Sequence, residues 1–355
     1  MIKTWLNRVF IDGLSGMAMG LFSTLIVGTI VKQIGTYVKY INGDIGNMLI
    51  LIGSIASAAT CAGIGVGVAV KYKESTLVVI AAAVAGMVGG YAKTILAGSA
   101  ISGSVTVLAG PGEPLGAFIA AYIAIEFGHL VSGKTKVDIL VTPIVSILTG
   151  SAIGLLVGPP IVKFMDWIGS IINYATNQHP FVMGILVSVI MGMLLTLPIS
   201  SAAIGVALKL NGIAAGAAVI GCCCQMVGFA VGSYRENKFG GLVAQGIGTS
   251  MLQIPNIVKK PIIWLPAIVT SAILGPVSTV LLKMSCNAVG SGMGTAGLVG
   301  PLMTWEVMAS TMPDALLFVE ILLMYFLLPG AICFSITEGM RKAGWIKNGD
   351  MKLKL

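Results

Sequence analysis

The chain has 355 residues, of which 56% are hydrophobic and only 10% charged, and it carries a formal net charge of +8. A mean hydropathy of +0.98, with far fewer charges than the roughly 25% of an ordinary soluble domain, excludes a soluble globular fold and marks a polytopic membrane protein. The positive balance does not point to nucleic acid, because no clustered basic surface sits on a soluble module.

At the N-terminus, Lys3 and Arg8 lead directly into an apolar stretch without a convincing processing site, so a cleavable signal peptide is not expected. At about 20 residues per membrane helix, hydropathy predicts spans near 10–31, 45–70, 76–97, 113–132, 137–162, 181–207, 213–233, 241–256, 262–283 and 313–338. Two Gly-rich pieces, 98–112 and 286–305, are too irregular to span and are expected as re-entrant hairpins. The segment 163–178 reads as an amphipathic helix lying at the interface. The expected fold is therefore all-α, with about ten transmembrane helices plus two re-entrant hairpins, in a single domain over 1–355. With both termini cytoplasmic, the inner segments hold fourteen of the 21 basic residues, which satisfies the positive-inside rule.

The first chemical feature along the chain is Gly110-Pro111-Gly112-Glu113-Pro114-Leu115-Gly116. A carboxylate at membrane depth costs roughly 2.5 kcal/mol or more, so such a group normally lines a cavity and binds something. The glycines and prolines free backbone groups that only protein or a water-filled cavity can satisfy. Glu113, with Gly112 and Pro114, is thus a candidate solute-binding loop; a tight extramembrane turn with Glu113 in water is the alternative. Further on, Glu126 and His129 lie three apart on one helical face and could form a charge-assisted pair or a proton relay, or a pair at the membrane boundary. His179 reads as a solvated loop residue.

In the second half, Pro198 within Thr196-Leu197-Pro198-Ile199-Ser200-Ser201 is expected to kink its helix, and Thr196, Ser200 and Ser201 could bind solute there. Gln225, mid-span, reads as interhelical glue or a site residue. Asn287, Ser291, Thr295 and Glu306 could supply the opposing hairpin, Asn287 and Thr295 being the solute contacts chosen from it. Asp12 and Asp314 read as helix N-terminal charges, and Glu320 as a paired interhelical contact. The six cysteines lack zinc-site or disulfide spacing and read as buried thiols; neither a metal nor a cofactor is expected. No zinc-binding helix, nucleophile elbow or phosphate loop is seen, so an autonomous catalytic site is not expected.

The halves 8–178 and 179–340 resemble each other. Met19 to Gly28 aligns with Met183 to Gly192, and Cys61 with Val66 to Val70 aligns with Cys222 and Val227 to Val231. Five spans per half would make this a 5+5 inverted repeat, an arrangement that places a substrate site at mid-membrane between two halves that rearrange.

The Gly-Pro-Gly-Glu-Pro-Leu-Gly run resembles the Gly-x-x-Glu-Pro loop of EIIC, the membrane permease subunit of the bacterial phosphoenolpyruvate-dependent sugar phosphotransferase system. Together with Phe10 to Leu21 and Thr196 to Gly205, it makes the chain similar to a stand-alone EIIC type that includes the perfringolysin O regulator-type proteins. The resemblance implies an inverted-repeat homodimer in the bacterial inner membrane, with Glu113 bonding sugar hydroxyls and one domain carrying solute by an elevator-like displacement. The Glu-Pro loop sits late in glucose-type permeases but in the first third here. The short polar stretch after Glu338 is not expected to hold a phosphocysteine or phosphohistidine domain, so the expectation is that either separate phosphoryl-carrier proteins supply phosphate or nothing is phosphorylated. The expected function is a permease for a small polar solute, a sugar or sugar-derived acid. The alternatives are an ion- or proton-coupled carrier and a solute-sensing membrane regulator.

Overall fold

The structure is a computed structural model that describes residues 8–102, 105–106, 108 and 110–353. Its contacts divide the chain into two compact units, Met1–Met165 and Asp166–Leu355, taken here in turn.

Unit 1 begins with α1 (Ile11–Val38), followed by α2 (Gly43–Ala58) and α3 (Thr60–Lys71), which are bent by 53° at Ala59. Asn42 starts α2 as a side-chain cap, its Oδ1 accepting the N–H groups of Asp44 and Ile45 at 3.1 Å. Next come α4 (Thr76–Gly90) and α5 (Ala92–Leu96), separated at Tyr91. The strands β1 (Ile101–Ser102) and β2 (Val105–Thr106) then pair antiparallel, Ile101 opposite Thr106. The segment expected as a re-entrant hairpin is thus in part a two-residue β ladder. Helix α6 (Pro114–Val131) closes the group. The helices approach on small residues: α1 lies so close to α3 that a Cβ on Gly20 would stand 2.2 Å from the Gly63 carbonyl oxygen. Such approaches suit helices that lipid cannot drive together.

Helix α7 (Asp138–Thr176) is continuous for 39 residues and carries Pro143, Pro159 and Pro160 inside it. The separate interfacial helix expected over 163–178 is instead the last part of α7. Pro159 and Pro160 forfeit backbone bonds, yet no residue between them and Thr176 ends the helix.

Unit 2 holds α8 (Pro180–Thr196), α9 (Ser201–Ala207) and α10 (Gly212–Gly232). Pro198 does more than kink its helix, because α8 stops at Thr196 and a new helix begins at Ser201. Two short bonds, Ile199 N–H to the Leu197 carbonyl (2.7 Å) and Ser201 N–H to the Ile199 carbonyl (3.0 Å), bridge the gap. Helix α10 is the best-buried apolar span, with 89% of its most apolar stretch inside the protein. The expected span 241–256 is broken: α11 (Tyr234–Val243) passes through π and 3-10 turns into α12 (Ile254–Lys259). After α13 (Pro261–Leu281), residues 286–298 form two 3-10 turns that lead into α14 (Val299–Met308), and α15 (Asp314–Lys342) precedes the tail.

Among the described residues, six helices are long and apolar enough to cross a membrane, or seven if α2 and α3 make one bent span. The difference from ten is physical: α4 and α8 are apolar but have only 15 and 17 residues, and 241–256 is irregular. All six cysteines are buried and free.

Candidate solute-binding loop

The chain before α6 cannot be helical. Pro111 and Pro114 lack an N–H, and Gly110 and Gly112 take φ of +75° and +70°, the left-handed region that glycine enters without penalty. Pro114 then opens α6 at its first position, where a missing N–H costs nothing. This makes Glu113 the cap residue, and its Oε1 accepts the Leu115 N–H at 3.5 Å. That distance lies beyond the ordinary N–H to oxygen range. No other side-chain bond to Glu113 occurs among the described residues, and the residue is half-buried.

Other groups fix the loop. The Glu113 N–H donates to the Gly90 carbonyl at 2.8 Å, and the Cys61 thiol donates to the Pro111 carbonyl at 3.1 Å. The Tyr91 hydroxyl contacts the Gly110 carbonyl and, at 3.3 Å, the Ala58 carbonyl. Three interruptions therefore meet here: the bend between α2 and α3, the break between α4 and α5, and the Glu113 loop itself. Cys61 fills the notch, because a Cβ on Gly112 would lie 2.5 Å from its sulfur. Sequence reading missed Cys61 and Tyr91 as loop anchors, since contacts across 50 and 19 residues leave no local pattern.

Glu126 and His129 lie toward the other end of α6, Glu126 about 20 Å from Glu113 along the axis at 1.5 Å per residue. They do not bond each other. His129 Nδ1 meets Glu74 Oε2 at 2.9 Å, and the Arg8 guanidinium lies 3.5 Å from Glu74 and 3.3 Å from Glu126. Arg8 also stacks 4.6 Å above the Tyr72 ring. The four groups form one chain, Glu126, Arg8, Glu74, His129, whose central carboxylate is only 6% exposed.

In unit 2, Thr196 is fully buried; its hydroxyl meets Ser250 Oγ at 2.8 Å and Gln225 Oε1 at 3.3 Å. Trp264 Nε1–H donates to the same Gln225 oxygen at 2.8 Å, while Gln225 Nε2 is buried without a partner. Ser201 Oγ–H donates to the Gly292 carbonyl at 2.7 Å, so the α9 start and the 286–298 segment are in direct contact. Asn287 Oδ1 accepts the Gly290 N–H at 3.0 Å, and buried Thr295 lies against Met226 Sδ at 3.5 Å. Ser200 is half-buried, its carbonyl accepting the Ile204 N–H at 3.1 Å. Glu306 is exposed. Glu320, expected in an interhelical pair, has a buried Oε2 without a hydrogen-bond partner.

A second network escaped the sequence reading. Gln245 links Ser233 to Gln253, and Gln253 and Asn256 donate to the Met351 and Lys352 carbonyls at 3.0 Å. Amide side chains inside the apolar 241–256 stretch were the available signal. A family model described as "Phosphotransferase system, EIIC" matches residues 11–353. No curated protein matches the chain.

Proposed function

We propose, from the premise that this chain belongs to the phosphotransferase system EIIC family, that Glu113 binds the solute of a membrane permease. The family makes the chain a membrane sugar-transport permease in general terms, working with phosphoryl-carrier partners. The solute is a small polyhydroxylated molecule, a sugar or sugar-derived acid, and separate proteins phosphorylate it. The observation that carries this reading is the economy of the Glu113 loop. Its backbone is held by Gly90, Tyr91 and Cys61, while the carboxylate itself has one long bond. A carboxylate accepts up to about four hydrogen bonds, so Glu113 has capacity for hydroxyl donors without disturbing its own support. Gly112 and Pro114 shape the approach.

Ser200, Ser201 and Asn287 are proposed as further solute contacts, with Thr196 and Thr295, both fully buried, holding their segments in place. Glu126 and His129 are proposed as proton-relay groups, with proton exchange between His129 and Glu74, which are in direct contact, and with Arg8 staying charged and holding Glu74 and Glu126 in place. Transport proceeds by elevator-type alternating access in a homodimer of the inner membrane, with both termini cytoplasmic. A 5+5 inverted repeat gains support from packing, because α1 contacts α3 and α8 contacts α10, the helices that carry the two matched sequence pairs.

The test is uptake of radiolabelled sugars with analysis of the product, by wild type and Glu113→Gln. Losing charge-assisted bonds worth roughly 1.5–3 kcal/mol should lower uptake about 10- to 100-fold, with the ligand-free unfolding midpoint nearly unchanged. Wild-type uptake by the variant removes Glu113 from the site. Solute binding without flux would make the protein a sensor.

A further inference from the structure

The end of unit 2 builds a pocket that transport through the Glu113 loop does not use. After α15, Gly344 at φ +76° turns the chain, and the Trp345 and Ile346 N–H groups close the helix on the Met340 carbonyl at 2.9 and 3.3 Å. Ile346 and Met351, 2% and 1% exposed, sink into an apolar cluster with Phe229, Ile257, Ile263 and Met340. The Asn237 and Gln253 amides hold the Met351 carbonyl at 2.9 and 3.0 Å. The tail is therefore a fixed wall. Beside it lies a pocket of about 440 Å³ lined by Arg235, Arg341, Gly344, Ile346, Lys347 and Asn348.

Three of those six groups are cations, and none is a carboxylate. Two carboxylates outside the lining pair with these arginines, Glu236 Oε1 taking Arg341 at 3.2 Å and the Gly349 N–H at 3.0 Å, and Glu338 bridging Arg235 and Arg341 at 2.5 and 3.7 Å, which leaves Lys347 to keep the pocket net positive. The Arg341 side chain is only 9% exposed and its Nε lies 3.7 Å from Glu338 Oε1, so Arg235 and Lys347 are the cations that the pocket presents to a ligand. A guanidinium presents its donors in a planar fork that matches phosphate oxygens. Next in sequence to the lining residues stand Tyr234 and Trp345, 45% and 57% exposed, and Phe239, just past the kink at Lys238, is 70% exposed. Exposed aromatics beside cations are the pattern of a membrane–water interface.

We infer that this pocket binds a phosphate-bearing anion, and that the flanking aromatics favour the headgroup of an anionic membrane lipid over free phosphate as its source. The site is independent of Glu113, so either reading can fail alone. The test uses the full-length protein and an Arg235→Gln/Lys347→Gln double variant, with Lys342→Gln, outside the lining, as control. Native mass spectrometry measures retention of phosphatidylglycerol and of phosphatidylcholine, and a thermal-shift titration measures inorganic phosphate. Each basic residue near an anionic lipid surface contributes about fivefold in affinity, so the double variant should bind phosphatidylglycerol about 25-fold more weakly, with the control unchanged. Preferential loss of phosphatidylglycerol identifies the lipid source. Phosphate stabilisation lost in the variant, without a lipid effect, identifies the soluble one. Equal retention of both lipids, with a phosphate response the same in variant and wild type, overturns the proposal. Both altered residues are exposed, and an unfolding midpoint measured alongside verifies that the variant is folded.

Discussion

Units 1 and 2 each interrupt helical structure next to a proline, and they spend the interruption differently. In unit 1 the loop at Pro111 and Pro114 is fixed by a tyrosine, a thiol and a backbone bond, which leaves its one carboxylate almost unengaged. In unit 2 the break at Pro198 adjoins Thr196, whose hydroxyl is taken up with Gln225 and Ser250 while Trp264 shares the Gln225 oxygen. Where neighbours hold the backbone, the side chain is available to a solute. Where polar side chains hold one another, they specify the fold.

The comparison breaks most readily at Gly112. Replacing it with Ala places a Cβ 2.5 Å from Cys61 Sγ at a φ of +70°. The left-handed conformation costs about 1–2 kcal/mol and the overpacking about 1–3 kcal/mol. We expect the unfolding free energy to fall by about 2–5 kcal/mol, with uptake lost. Adding Cys61→Ala should recover the overpacking part and leave the backbone part. A Gly112→Ala protein with wild-type stability and uptake would show that the loop is not held as described.

The complementary substitution in unit 2 is Gln225→Leu, which removes the acceptor shared by Trp264 and Thr196. A buried donor left unsatisfied costs about 1–3 kcal/mol. Denaturation should register that loss, while uptake per folded molecule should stay near wild type. A normal unfolding midpoint combined with abolished uptake would reverse the assignment and make Gln225 a solute ligand.

Much of this contrast was legible before any coordinates. Glu113 stood out because charge, glycine and proline coincide in an apolar chain, and the irregularity of 286–305 followed from its glycines. Pro198 announced a break, although only the structure distinguishes a kink from a termination. What could not be read were partnerships across distance: Cys61 to Pro111, Tyr91 to Gly110, Gln253 to Met351. A thiol inside an apolar helix looks the same whether it fills space or pins a loop. Helical spacing brings Glu126 and His129 to one face of α6, but their partners, Arg8 and Glu74, come from other elements and leave no local pattern. The span near 137–162 and the interfacial helix over 163–178 are one helix, α7, which runs through Pro159 and Pro160 without ending.

The smallest expected effect concerns the tail that unit 2 holds with its amides and that unit 1 does not match among the described residues. Asp350 reaches Lys260 Nζ at 2.5 Å and accepts the Lys347 N–H at 2.6 Å. Burial alone would raise its pKa, but the Lys260 hydrogen bond, the Lys347 N–H and both ammonium charges outweigh this and hold it below the ordinary aspartate range. A carboxyl whose pKa is depressed on folding stabilises the protein above its unfolded value, about 3.9, and that contribution disappears as pH falls through the lower folded value. For a partly exposed ion pair it amounts to about 1 kcal/mol or less. Asp350→Asn should therefore unfold slightly earlier than wild type at pH 7, and the gap between the two midpoints should close below about pH 4. Because the other acidic groups titrate in both proteins, the difference between the curves isolates Asp350. A gap that persists unchanged into acid would mean that Asp350 supports the tail by shape rather than by charge.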